Sequence, residues 1–128
     1  MFGLFRSHHP VRHTKSLYHS LVGVKYVFMN EANFRIQVLV AAFSVFLGVE
    51  FGISRVEWAI LALSAGLLLS AEVLNTAIEE LIDHLVRRRS EVARVIKDLS
   101  AGFVLLTALT NLVVLVAIFG ERVVKAIG

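Results

Sequence analysis

Three apolar runs dominate the chain, from about Phe34 to Ile53, from about Trp58 to Ile82, and from Leu99 to Phe119. Each approaches or exceeds the roughly 20 residues that a helix needs to cross the hydrocarbon core of a bilayer. In lipid the backbone must satisfy its own hydrogen bonds. The sequence also lacks the alternating ten-residue pattern of a membrane barrel, so helices are the economical solution. Composition agrees: 57% of the 128 residues are hydrophobic and only 18% are charged. A soluble domain of this size has too little interior to hide so much apolar side chain. The absence of cysteine excludes disulfides, thiolate nucleophiles and cysteine-based zinc sites together.

Lysine and arginine predict the orientation. Arg6, Arg12, Lys15, Lys25 and Arg35 lie in or before the start of the first run, and Arg87, Arg88, Arg89, Arg94 and Lys97 precede the third. The connection between the first two runs holds Arg55 alone, and the C-terminus has Arg122 and Lys125. Positive residues concentrate on the cytoplasmic side. The N-terminus and the 84–98 loop are therefore expected in the cytoplasm, with residues 50–57 and the C-terminus outside. The net charge of +3 sits at the ends of apolar runs rather than along one exposed face, so no nucleic-acid partner is expected.

Ahead of the first run, Leu17, Leu21, Val24 and Phe28 recur at helical spacing, with Lys15, His19 and Lys25 off that stripe. This pattern predicts an amphipathic helix lying on the membrane surface. The expected architecture is an all-α membrane protein forming a single domain over 1–128. It has a surface helix at about 12–31, spans at about 34–53, 58–82 and 99–119, and a cytoplasmic loop at about 84–97.

The second run carries the chemistry. Glu72, Asn75, Glu79 and Asp83 fall within roughly an 80° arc of a helix, a polar stripe about 16 Å long, while Glu80 points elsewhere. Asp83 and Glu80 are explained by solvation near the interface, and Asn75 by gluing helices together. Glu72 lies deeper, where an ionisable side chain is costly and marks function by default. Clustered carboxylates on rigid helices can bind a hard cation such as Mg²⁺, which keeps waters and substrate phosphates in its shell. They can also act as a general base. Glu31, at the start of the first run, supplies a further acid at about the depth of Glu79. With Arg12, Lys97 and Arg87–Arg89 on the same side, a phosphorylated soluble substrate meeting a lipid is suggested.

The motifs Asn30-Glu31-Ala32-Asn33-Phe34-Arg35, Glu72-Val-Leu-Asn75-Thr-Ala-Ile-Glu79 with Asp83, and Lys97-Asp98 occur in that order. From about Arg12 to Phe119 the chain resembles the small bacterial integral-membrane diacylglycerol and undecaprenol kinases. The resemblance implies a homotrimer of three-span protomers with shared active sites in the bacterial inner membrane. MgATP would phosphorylate a lipid hydroxyl at the cytoplasmic interface. By similarity Glu72 would be the catalytic base, and Glu31 and Glu79 would hold Mg²⁺. Arg12, His19, Arg88, Arg89, Ser90, Lys97 and Asp98 would contact the nucleotide, as would Glu31, Asn75, Glu79 and Asp83. Ala32, Asn33, Phe34, Arg35 and Ile36 would face the lipid beside Glu72, with Ala101 opposite. The sequence departs from the diacylglycerol enzymes at His19, where tyrosine is common, and at Ala101, where serine is common. Both departures favour undecaprenol.

Other features have simpler readings. His8, His9 and His13 have no partner carboxylate, and Thr107, Thr110 and Asn111 suit hydrogen bonding between helices. Glu50 and Glu57 are expected to be solvated, and Trp58 to anchor an interface. No phosphate-binding glycine loop occurs, so a kinase reading rests on a different arrangement. The alternative is a non-enzymatic ion or proton transporter subunit. That reading requires polar groups through the whole membrane thickness, yet Ala59 to Ala71 offers only Ser64 and Ser70.

Overall fold

The computed structural model describes residues 10–87 and 90–128, with side chains from Thr14 onward. Among the described residues there are four helices: α1 (Pro10–Asn30), α2 (Ala32–Glu50), α3 (Arg55–Leu85) and α4 (Glu91–Ile127). No strand occurs among the described residues. The last three are long and apolar enough to cross a membrane.

The packing is that of a protein built for lipid. Residues closed off from the surroundings include Ser44, Ser64, Glu72, Thr76, Ser100, Thr107 and Asn111, nearly as many as the buried apolar ones. Large apolar side chains such as Leu63 and Val113 point outward, at 74% and 68% exposure. In a bilayer, helix association relies on small and polar side chains at the contact, because lipid already solvates leucine and valine. The α3–α4 pair follows this rule. Asn111 donates to Ser64 Oγ at 3.0 Å across the interface. Thr107 and Thr110 instead bond carbonyls of their own helix, at Val104 and Leu106, so only Asn111 of the three expected groups links helices directly.

Helix ends explain where the apolar runs and the helices differ. The first span was expected to reach Ile53, but α2 stops at Glu50. Gly52 adopts φ +57°, its N–H bonds Val49 O at 3.2 Å, and the Ile53 N–H bonds Gly48 O at 3.1 Å. That is a Schellman ending, which needs a residue tolerant of the left-handed region at Gly52. Ile53 then folds back against Leu47, Leu61, Ile118 and Phe119. Gly48 is required for a different reason: a Cβ there would lie 2.7 Å from the Trp58 ring. Trp58 thus packs inside the bundle as well as near its end.

The second helix of the bundle starts earlier than Trp58. Ser54 caps it, accepting from the Glu57 N–H at 3.2 Å, while Glu57 Oε2 accepts from the Ser54 N–H at 2.8 Å. This reciprocal capping box recruits Arg55 to Glu57 into α3. Glu57 also pairs with Arg122 of α4 at 2.9 Å, so it is an anchored residue and not a solvated one. At the other end, α4 begins at Glu91 behind an N-cap at Ser90, whose Oγ accepts from the Ala93 N–H at 3.4 Å. The expected loop over 84–97 is correspondingly shorter, and Lys97 and Asp98 sit on a helix.

Between α1 and α2 the chain bends at Glu31, whose φ of −101° and ψ of 114° are extended. Arg35 folds back so that its guanidinium donates to the carbonyls of Phe28 and Met29 at 3.1 and 3.0 Å. Capping those last carbonyls with a cation stabilises the C-terminal end of α1. Tyr26 ties α1 to α3 by donating to Glu80 Oε1 at 2.5 Å. That hydrogen bond holds the phenol proton and raises the Tyr26 pKa. Leu17, Leu21, Val24 and Phe28 remain exposed on α1, and Val27 is the buried contact.

Candidate active site

The α3 carboxylate stripe becomes a real constellation because α2 and α4 each contribute a polar partner. Glu72 is only 2% exposed, with its carboxylate facing α2. Gln37 Nε2 donates to Glu72 Oε2 at 3.1 Å. One turn further along α3, Asn75 Nδ2 donates to Glu79 Oε1 at 3.1 Å. From α4, Ser100 Oγ donates to Asn75 Oδ1 at 2.7 Å. The asparagine is thereby held at both ends and aims one Glu79 oxygen. Glu72, Asn75 and Glu79 share a cavity of about 450 Å³ with Asn33, Ile36 and Gln37 of α2 and Ala101 of α4. The remainder of its α4 wall is apolar, from Val104, Leu105 and Ala108.

Glu31 occupies the bend where α2 begins, and its side chain makes no capping bond. Glu31 and Glu79 are the carboxylates whose charge acts on Glu72. Among the described residues, none of the three has a lysine, arginine or histidine within ion-pair distance. Three neighbouring carboxylates without a cation repel one another. A divalent ion would relieve that repulsion. Glu31 and Glu79, the two more accessible carboxylates, suit a Mg²⁺ that takes its other ligands from water and phosphate. Among the described residues, no group of three or more His, Cys, Asp or Glu side chains forms an all-protein cage.

A second cavity, of about 700 Å³, opens where α3 hands over to α4. Asp83, Arg87, Ser90, Glu91, Arg94 and Lys97 line it. Lys97 Nζ donates to both Asp83 oxygens, at 2.9 and 3.0 Å. Asp98 is not part of this pair, because Arg94 holds it at 3.0 Å along the same helix. Ser90 combines its cap with a place on the cavity wall.

Several residues expected at the site lie elsewhere in this chain. Phe34 is 4% exposed and packs edge-on against Phe28, with ring centroids 6.5 Å apart. Arg35 is occupied with the end of α1. Ala32 is exposed outside the Glu72 cavity, so of the 32–36 stretch only Asn33 and Ile36 reach it. His19 is exposed on α1 with Tyr18 as its ring neighbour. Arg12 falls on α1, but its side chain lies outside the described residues, as do Arg88 and Arg89 entirely. His8 and His9, and the side chain of His13, also lie outside them. Gln37 and Ser100 are the two site residues that the sequence reading missed. Spacing places Gln37 one turn past Asn33 and Ser100 three residues past Lys97, but their roles lie in contacts from α2 and α4 to α3 that spacing within one helix does not reveal.

Comparison with known proteins places the chain in a family. The family model described as prokaryotic diacylglycerol kinase matches residues 18–119. A diacylglycerol kinase of Synechocystis sp. is 33% identical over 100 residues, covering 77% of this chain and 57% of that protein. The chain thus spans little more than half the length of that relative. An undecaprenol kinase of Bacillus subtilis is 32% identical over 108 residues, covering 84% of this chain and 88% of that protein. A diacylglycerol kinase of Haemophilus influenzae is 31% identical over 90 residues, covering 70% and 74%. The matched region contains both cavities and every carboxylate that lines them. The chain belongs to the prokaryotic diacylglycerol kinase family of membrane lipid kinases.

Proposed function

We propose that this protein transfers the γ-phosphoryl group of MgATP to the hydroxyl of a membrane lipid alcohol, with undecaprenol favoured over diacylglycerol. The observation that carries the reading is the placement of Glu72. It is buried, held by a neutral amide, and set in a cavity whose far wall is apolar. A carboxylate there can take the proton of a lipid hydroxyl without drawing on bulk water.

In this reading the lipid head group enters the cavity between Asn33, Ile36 and Ala101, with its oxygen beside Glu72. Glu31 and Glu79 hold Mg²⁺, which neutralises charge on the ATP phosphates when bound. Asn75 and Ser100 fix Glu79. The second cavity takes the nucleotide, with Lys97 supplying positive charge and Asp83 aiming it. Arg12, His19, Ser90, Arg88, Arg89 and Asp98 are further nucleotide contacts proposed from the family resemblance. Phosphoryl transfer asks mainly for in-line positioning and charge neutralisation, so it needs no glycine-rich phosphate loop.

The same reading covers the surroundings. The site faces the cytoplasm of a bacterial inner membrane, with α1 on its surface, and the chain acts as one domain. Three protomers assemble into a homotrimer with shared active sites, which offers His19, Phe34 and Arg35 a setting that one protomer does not. His19 and Ala101 support the choice of undecaprenol, as does the broad match to the Bacillus protein of that name.

The test is transfer of labelled γ-phosphate from ATP to undecaprenol and to diacylglycerol, in parallel mixed micelles, with Mg²⁺ and with EDTA. The expected result is Mg²⁺-dependent labelling of undecaprenol in excess of diacylglycerol. Preference for diacylglycerol would reverse the choice of lipid, and failure to label either from folded protein would overturn the kinase reading.

A further inference from the structure

Gln37 lies on α2 one helical turn past Asn33, and its amide is unevenly used. Nε2 donates to Glu72 Oε2 at 3.1 Å, whereas Oε1 is buried and receives no hydrogen bond from a described residue. An amide oxygen buried without a donor is costly, and each one in a folded protein calls for an explanation. A primary amide is neutral and carries two donors and an acceptor on one planar group. Half a turn about its last torsion therefore exchanges a donor for an acceptor at the same place.

Glu72 needs both. As a carboxylate it requires a donor; once it has taken a proton it becomes a donor and requires an acceptor. We propose that Gln37 is the positioning residue that holds Glu72 through both protonation states. Its Nε2–H donates to the carboxylate before transfer, and its Oε1 accepts the carboxylic O–H afterwards, the amide having turned over between the two.

This inference rests on the proposed kinase activity. In that reaction the lipid hydroxyl gives its proton to Glu72, and its oxygen bonds to the γ-phosphorus. The bond from that phosphorus to the bridging oxygen of ADP breaks, and Glu72 later returns the proton to water. The orphaned oxygen of Gln37 thus has a partner in the half of the cycle when Glu72 is protonated. A lysine or arginine at position 37 would offer donors only, and its charge would hold Glu72 ionised against proton uptake. Glu31 and Glu79 already set the negative side of this balance, so the neutral amide adds direction without adding charge.

The experiment compares wild type with Gln37→Leu, Gln37→Met, Gln37→His and Gln37→Lys in full-length protein, with α-helical content checked by circular dichroism. Leucine and methionine remove the hydrogen bond and suit the membrane, so one serves where the other fails to fold. With either, kcat should fall about 10- to 100-fold, the scale expected when a reacting group loses its support. KM for ATP and for the lipid should stay within about twofold, because the lost contact acts on the base and not on ground-state binding. A neutral histidine keeps one donor and one acceptor and should recover most of kcat. Lysine, a donor alone, should not. In a Glu72→Gln background, Gln37→Leu should cost nothing further, the non-additivity of two residues acting through one group.

Wild-type kcat in Gln37→Leu and Gln37→Met, rescue by lysine equal to that by histidine, or a loss confined to KM would each overturn the proposal. A wild-type protein without transfer activity would instead overturn the kinase reading beneath it, so the two failures are separable.

Discussion

Ser100 Oγ donates to Asn75 Oδ1 at 2.7 Å, joining α4 to the asparagine that aims Glu79. The bond converts helix packing into carboxylate geometry. Removing the hydroxyl leaves Asn75 free to rotate and Glu79 with one fewer constraint. Ser100→Ala should therefore raise the Mg²⁺ concentration for half-maximal activity by about tenfold, the scale of losing an outer support to a metal ligand. A Mg²⁺ titration of the purified variant reads this directly. An unchanged titration would remove Ser100 from the site.

Lys97 and Asp83 form a bridge whose partners are 35% and 63% exposed. Exposed ion pairs contribute little to stability, at most about 1 kcal/mol. Lys97→Gln should leave thermal unfolding in detergent nearly unchanged while raising KM for ATP by about tenfold, equivalent to about 1.4 kcal/mol of binding. A large fall in Tm with unaltered KM would assign the bridge a structural role.

Asn111 and Ser64 form a direct α3–α4 hydrogen bond at mid-bundle. Such bonds between membrane helices contribute about 0.6 kcal/mol on average, because the unassembled helices find other partners. Ser64 also donates to Leu61 O, so it is not orphaned when Asn111 is changed. Asn111→Val should lower stability by about 1 kcal/mol or less and spare the phosphate-transfer rate, measured by unfolding in mixed micelles and by activity in parallel.

The Trp58 ring approaches Gly48 so closely that a Cβ there would fall 2.7 Å from Trp58 Cη2. Gly48→Val should destabilise by about 1–3 kcal/mol, the cost of overpacking a filled interior. Gly48→Val with Trp58→Leu should recover part of that loss, since the smaller partner vacates the contact. Equal stability of the single and double variants would show that the close approach does not set the packing.

The membrane class was legible because lipid permits few backbone solutions to three long apolar runs, and α2, α3 and α4 carry them. Their limits were less legible. Apolarity ends where lipid ends, whereas a helix ends where its carbonyls and amides find other partners, as at Gly52 and Ser90. Ser54-x-x-Glu57 was a readable capping signal that the hydrophobic pattern outweighed. The carboxylate face of α3 followed from helical spacing alone. Gln37 and Ser100 did not, because their roles depend on which faces of α2 and α4 meet α3, and spacing within one helix does not fix its neighbour's rotation. Arg35 shows the converse: its motif suggested substrate, while its guanidinium closes the end of α1.

The most direct test of Glu72 as the catalytic base is single-turnover phosphate transfer by Glu72→Gln, with nucleotide binding measured on the same preparation. Glutamine keeps the volume and a hydrogen bond to Gln37 but does not accept the lipid proton. The account predicts ATP affinity within about twofold of wild type and transfer slower by at least about 10²-fold. Transfer at the wild-type rate by a folded, nucleotide-binding Glu72→Gln protein would contradict it.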